Sequence, residues 1–199
     1  MTTNRTLALA LWAAVALVGG LATAWFFVIE PRMNQTVADT LGRGDYELVM
    51  TNGQTFTQET LESGPSAVFF GFTYCPDVCP TTLGDVLTWQ EILNEEGEET
   101  LDVYFVTVDP ERDTPELLED YVSWAPGVIG VSGSREEIDK AIKAFRVYAQ
   151  QVPLEGGDYT MDHSAFVLLF DKDGRFDQPI RYGEQTERAM TKIRNLIAG

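Results

Sequence analysis

The sequence predicts an α/β domain with a central sheet covered by helices on both faces, preceded by an apolar N-terminal segment. Three observations predict it. Continuous apolar runs at residues 67–72 and 103–108 read as strands buried on both faces. Stretches of helical period separate and follow these runs, at 83–93, 114–124, 134–145 and 187–197. Ahead of all this lie 23 consecutive uncharged residues, 7–29.

The elements follow in order. Residues 1–30 form the apolar segment, 31–45 are polar and Gly-containing and read as a tether, and 46–199 form the domain. Residues 46–50 alternate weakly and Asn52-Gly53 offers a turn, so a small hairpin is expected. After the strand at 67–72, Leu83, Val86, Leu87, Gln90 and Leu93 keep one helical face until Asn94-Glu95-Glu96-Gly97. The strand at 103–108 precedes Thr114-Pro115-Glu116, which supplies the N-cap, N1 proline and first-turn acid of a helix. A short strand is expected at 127–131. Ser134 and Glu137 form a capping box, with Ile138, Ile142 and Phe145 striped behind it. A strand at 164–170 turns through Asp171-Lys172-Asp173-Gly174 into a partner around Ile180-Arg181, and an amphipathic helix closes the chain. The order β, α, β, α, β, α, β-β, α describes a thioredoxin-like sheet flanked by helices.

Composition narrows the function. Among 199 residues, 14 are Lys or Arg and 31 are Asp or Glu, a formal charge of −17. This excludes non-specific nucleic-acid binding, which depends on basic side chains neutralising phosphate, and disfavours polybasic docking on anionic lipid. As a helix, residues 7–29 would reach about 34 Å, enough to cross a bilayer. Arg5 is the only charged side chain before the run, so the amino end is expected in the cytoplasm and the domain outside. Trp25, Phe26 and Phe27 suit an interfacial aromatic belt. The alternative is a cleaved signal peptide ending near Ala22-Thr23-Ala24, although the apolar run outlasts the usual signal core. Both readings place the domain outside the cytoplasm.

Both cysteines fall in Phe72-Thr73-Tyr74-Cys75-Pro76-Asp77-Val78-Cys79-Pro80, between a buried strand and a helix. Four residues apart at a helix start, their side chains project to one side, with Cα atoms about 6 Å apart. That spacing permits a disulfide and equally suits two thiolates on one small ion. Free N–H groups and the positive helix end favour thiolate. A purely structural bridge would close a loop too short to stabilise much, which favours a redox-active or ligand pair. The single histidine, His163, precedes the strand at 164–170. In a thioredoxin-like sheet that position faces the cysteine turn. Thioredoxins hold a cis-proline there, and this sequence has none. Two sulfurs and one imidazole nitrogen form a soft donor set that favours copper(I), whereas structural zinc is usually closed by four ligands. Met161 is near in sequence as a further donor.

These residues resemble the Sco-type (SenC) copper chaperones of cytochrome c oxidase assembly. The resemblance rests on Cys75-Pro76-Asp77-Val78-Cys79-Pro80, on Val108-Asp109-Pro110-Glu111-Arg112-Asp113-Thr114-Pro115, and on Asp162-His163-Ser164, in the expected order with an N-terminal anchor. It implies that Cys75, Cys79 and His163 bind copper, as Cu(I) or Cu(II), and that Asp109 acts behind the ligands or in the fold. It further implies a single-pass protein of the inner membrane with its domain on the extracytoplasmic side. Its expected partner is cytochrome c oxidase subunit II or another copper protein, which receives copper or has its cysteines reduced.

A thiol-disulfide oxidoreductase using Cys75 or Cys79 is the alternative, disfavoured by the three-residue spacer and the missing cis-proline. A peroxiredoxin-like peroxidase is suggested more weakly by Thr73 and Cys75. Residues 171–174 begin like a calcium loop, but Tyr182 stands where the closing Glu would be, so they read as a hairpin turn.

Overall fold

The structure, a computed structural model, describes residues 2–25, 27, 36–98 and 100–199, and the chain divides into a unit ending at Thr36 and a unit from Val37 to Gly199. In the first unit, helix α1 spans Thr2–Ala24 and leaves Leu11, Trp12, Val15, Leu17, Val18 and Leu21 exposed. Positions 26 and 28–29 of the expected apolar span lie outside the described residues. Among the described residues no helix is long and apolar enough to cross a membrane.

The second unit begins with a short helix α2 (Val37–Thr40), and residues 37–45 pack onto the domain: Leu41 is buried, and the Tyr46 hydroxyl donates to the Gly42 carbonyl at 2.8 Å. The strands and helices that follow are β1 (Leu48–Met50), β2 (Thr55–Phe56), β3 (Ser66–Gly71), α3 (Val78–Glu96), β4 (Asp102–Thr107) and α4 (Pro115–Val122). After them come β5 (Val128–Ser132), α5 (Arg135–Ala144), β6 (Ala149–Pro153), β7 (Tyr159–His163), β8 (Phe166–Phe170), β9 (Phe176–Arg181) and α6 (Thr186–Ala198). A 3-10 turn occupies Gln58–Glu62. Seven strands form the main sheet in the order β2-β1-β5-β4-β3-β8-β9. Strands β3, β4 and β5 are parallel, joined by crossovers through α3 and α4, while β1, β8 and β9 run antiparallel to their neighbours.

The expected α/β sheet flanked by helices stands, for visible physical reasons. All six residues of β3 are buried, as its apolar run requires. The Thr114 hydroxyl caps α4 by accepting from the Leu117 N–H, Pro115 needs no partner at N1, and the Ser134 hydroxyl accepts from the Glu137 N–H to start α5. Phe145 ends α5 in the core, with ring centroids 5.2 Å from Phe70, 5.7 Å from Phe170 and 5.7 Å from Tyr46.

Helix α3 starts at Val78, so Cys79 lies in its first turn, at the helix start where the sequence reading put the pair. One feature departs from the sequence reading. Strands β6 and β7 form a separate two-stranded sheet that the sequence did not suggest, and His163 is its last paired residue, opposite Ala149. In place of the loop expected before β8 there is a hairpin.

Topology brings three distant segments together. The cysteine loop leaves the carboxyl end of β3, and the Asp109 segment leaves the carboxyl end of the neighbouring parallel strand β4. Because β8 runs antiparallel to β3, pairing Val167 with Phe69, its entry point falls at that same end, and His163 stands just before it. The carboxyl ends of parallel strands are where open α/β sheets place ligands.

Candidate metal centre

The ligand atoms of Cys75, Cys79 and His163 all lie within 4.8 Å of one another, the one such group of three or more His, Cys, Asp or Glu side chains among the described residues. Both cysteines are free thiols, Cys79 fully enclosed and Cys75 8% exposed. The Cys75 sulfur accepts the Cys79 N–H at 3.3 Å and so satisfies a first-turn donor of α3. The Cys79 thiol donates to the same sulfur. Led by that bond, and helped by His163 and the backbone N–H groups of Cys79 and Asp77, the environment overcomes burial and holds the Cys75 thiol down at about 4. The Cys79 thiol moves the opposite way, raised by its role as donor to Cys75 and by burial. One thiolate and one thiol therefore share a proton at neutral pH.

Gly71 makes room for this pair. A Cβ at that position would stand 2.7 Å from the Cys79 sulfur and 2.8 Å from the Phe105 ring, so the sulfur lies directly over the backbone of β3.

His163 Nε2 is 3.7 Å from the Cys79 sulfur, while Nδ1 lies 3.0 Å from the Ser164 carbonyl. A carbonyl only accepts, so Nδ1 carries a proton, and Nε2 is the nitrogen turned toward the sulfurs. The ring stands edge-on to Phe72 at 5.6 Å and to Phe69 at 6.5 Å. Two sulfurs and an imidazole nitrogen so arranged can hold a soft, low-coordinate metal ion. Met161 lines a cavity of about 540 Å³ with Asp109, Arg135 and Tyr159.

Asp109 is buried, and it acts on the hairpin. Its carboxylate accepts from the Tyr159 hydroxyl at 2.8 Å and from the Arg112 Nε. Arg112 also donates to the Tyr159 carbonyl at 2.9 Å, and its guanidinium lies 3.8 Å over the Tyr159 ring and 4.8 Å over that of Tyr74. Asp109 and Arg112 thus fasten the first residue of β7, the strand that ends at His163.

Asp113 fastens the sulfur side. This buried carboxylate accepts from the Thr73 N–H, the Thr73 hydroxyl and the Thr107 hydroxyl, tying the cysteine loop to β4. Burial raises its pKa while those donors pull it down. The segment 109–113 therefore clamps both halves of the centre. Sequence reasoning placed Arg112 and Asp113 in a motif but assigned them no role, and it did not single out Gly71 or Tyr159; these roles depend on pairings up to 50 positions apart.

Fold and site together define a thioredoxin-like domain in which a thiolate, a thiol and an imidazole converge at the sheet's carboxyl end. The SCO1/SenC family model matches residues 34–198, and the chain belongs to that family. An SCO2-like protein of Rickettsia conorii is 36% identical over 155 residues, covering 76% of this chain and 75% of that protein. Among solved structures, the copper-bound ScoI of Bradyrhizobium japonicum superposes with a TM-score of 0.67 at 40% identity, covering 77% of this chain and 99% of that one. Copper-bound yeast Sco1 gives a TM-score of 0.72 at 33% identity, covering 79% and 90% respectively.

Proposed function

We propose that this chain is a membrane-tethered copper metallochaperone that holds one copper ion on Cys75, Cys79 and His163 for the copper centre of cytochrome c oxidase. The observation that carries this reading is the convergence of the three donor atoms within 4.8 Å at the sheet's carboxyl end. Two thiolates and a neutral imidazole give copper(I) a site with one net negative charge. Cys75 is held toward the thiolate, so loading the site calls chiefly for the Cys79 thiol to give up its proton. Subunit II is the proposed recipient, and exposure of Tyr74 beside Cys75 leaves a flank open for handover. The apolar N-terminal segment is proposed as a single-pass inner-membrane anchor with the domain on the extracytoplasmic side, a reading supported by the exposed apolar side chains of α1.

Anaerobic copper(I) titration with X-ray absorption tests the site. One copper with two sulfur neighbours and one nitrogen neighbour is expected, and His163→Ala should lower affinity at least about tenfold while both thiols still titrate. Undiminished affinity in that variant would refute the three-ligand site.

The asymmetry of the thiols supports a second reading, a dithiol reductase acting on the recipient's cysteines. The Cys75 thiolate would attack the partner's disulfide, forming a mixed disulfide and releasing one partner thiolate. The Cys79 sulfur, giving up its proton, would then attack Cys75 and release the second. Two electrons pass to the partner and Cys75–Cys79 is left as a disulfide. Failure of the copper-free dithiol to reduce a disulfide of the recipient would remove this reading.

A further inference from the structure

The guanidinium groups of this acidic chain nearly all find carboxylates. From Val37 onward, Arg43, Arg112, Arg135, Arg175 and Arg194 each form an ion pair, and Arg146 donates to the Thr40 hydroxyl at 3.0 Å. Arg181 and Arg188 are the exceptions. Both are exposed, and among the described residues neither side chain makes a hydrogen bond or an ion pair. With 31 Asp and Glu for 14 Lys and Arg, two idle arginines are not explained by a shortage of acids.

Both arginines line one open cavity of about 480 Å³, together with Pro179, Tyr182, Glu184 and Lys192. Glu184 is the only carboxylate in its wall, and it is already engaged. It lies 2.7 Å from the Lys192 ammonium and accepts the Arg181 backbone N–H at 3.1 Å. Three cations against one carboxylate leave the cavity with a formal charge of +2 on a chain of −17. Gln185, at the N-cap of α6, provides no side-chain acceptor, so the positive end of that helix adds to the same preference for an outside anion.

Strand pairing sets this cavity at the metal end of the sheet. Arg181 closes β9 opposite Phe166, the first residue of β8, and the Tyr182 N–H donates to the Ala165 carbonyl at 3.2 Å, two residues after His163. Arg181 and Tyr182 also line a cleft that reaches Thr82, three residues beyond Cys79 on α3; Asp85 lies in that cleft without pairing with Arg181. Exposed rings stand nearby: Tyr182 itself, Tyr148, whose N–H donates to the Ser164 hydroxyl at 2.9 Å, and Tyr74 beside Cys75. Tyrosine and arginine are the residues that protein interfaces concentrate. A free anion is repelled by the rest of so acidic a chain, whereas a carboxylate carried by a docking protein is brought in by the remainder of the contact.

We propose that the cavity of Arg181 and Arg188 receives an acidic side chain of the protein that takes the copper, and so fixes how that protein sits at the metal end. The proposal rests on the copper-carrier reading above and adds to it one element of the recipient's chemistry. It gives neither arginine a part in holding the metal.

The double variant Arg181→Ala with Arg188→Ala, in the full copper(I)-loaded chain, tests this against cytochrome c oxidase subunit II. Its affinity for subunit II should be about tenfold weaker at low ionic strength, chiefly through slower association, and the gap should close as salt is added. Copper(I) affinity and melting temperature should match the wild type, because neither side chain is bonded within the domain. Lys172→Ala with Arg194→Ala removes the same charge at the opposite end of the sheet, in the β8–β9 turn and beside Glu96 at the end of α3. That control should stay within about twofold of the wild type. Equal weakening by the two double variants would show bulk charge alone and would overturn the proposal, as would undiminished affinity without Arg181 and Arg188. Inorganic phosphate, titrated alone, separates a free-anion site. Phosphate binding that needs both arginines, with subunit II indifferent to them, also overturns it. A wild type that neither binds nor loads subunit II overturns the recipient reading with it. A wild type that does both, matched by the double variant, overturns only the role of the cavity.

Discussion

Replacing Gly71 by Ala adds one methyl group where the metal centre meets β3. Its carbon would sit 2.7 Å from the Cys79 sulfur and 2.8 and 2.9 Å from two atoms of the Phe105 ring, against 3.4 Å or more for ordinary contact. These three atoms, on two neighbours, must therefore each retreat by roughly 0.5 to 0.7 Å. Cys79 and Phe105 are both fully buried, so neither can move into solvent. Overpacking of this kind costs about 1–3 kcal/mol. Gly71 does not have a positive φ, so alanine also restricts the unfolded chain and returns about 0.4–1 kcal/mol. The packing term is the larger, leaving a net loss of about 1–2 kcal/mol. At roughly 2–4 °C per kcal/mol for a domain of this size, the midpoint of thermal unfolding should fall by about 2–8 °C, followed by circular dichroism. The displaced sulfur should also bind copper(I) more weakly in chelator competition. An unchanged melting midpoint together with unchanged copper affinity would refute the claim that the missing Cβ is what admits the sulfur.

Three further outcomes are expected. The Cys75 thiol, held at about 4 in the folded protein against roughly 8.5 when unfolded, contributes stability that is complete above the unfolded value, shrinks as pH falls and is gone below about 4. Ultraviolet thiolate absorbance should lose one thiolate near that lower pH, and alkylation at pH 6 should label Cys75 well before Cys79. Asp109→Ala leaves the Arg112 guanidinium and the Tyr159 hydroxyl without their acceptor, so urea unfolding should show a loss of about 2–4 kcal/mol, with copper affinity falling further than cysteine reactivity. Asp113→Ala strands the N–H and hydroxyl of Thr73 and the hydroxyl of Thr107, and should cost a similar 2–4 kcal/mol by the same assay.

What the sequence made legible was written in local chemistry. A strand buried on both faces announces itself as an apolar run, hence β3 and β4. Thr114-Pro115 and Ser134 with Glu137 mark helix starts because the N-cap demand is met within three residues. The cysteines and the histidine stood out because each is rare and their types suit one ion. The β6–β7 hairpin escaped because most of β6 is exposed and carries no alternation. Its one local signal was Gly156-Gly157, both with positive φ near 90° in the turn. The clamping by Arg112, Asp113 and Tyr159 escaped for another reason. The contacts that reach the cysteine loop and the hairpin join residues 40 to 50 positions apart, and no window of sequence holds both ends.

The imidazole is carried by the two-stranded sheet, whereas the two sulfurs are carried by the loop after β3 and the first turn of α3. Swinging the two-stranded ribbon aside withdraws the nitrogen at the expense of a few latch contacts, whereas shifting the helix-borne sulfur would mean prising open the packed interior. If the chain acts as the proposed copper carrier, a donor approaching from the open flank would meet graded resistance, nitrogen first and sulfur last, with the packed interior left intact.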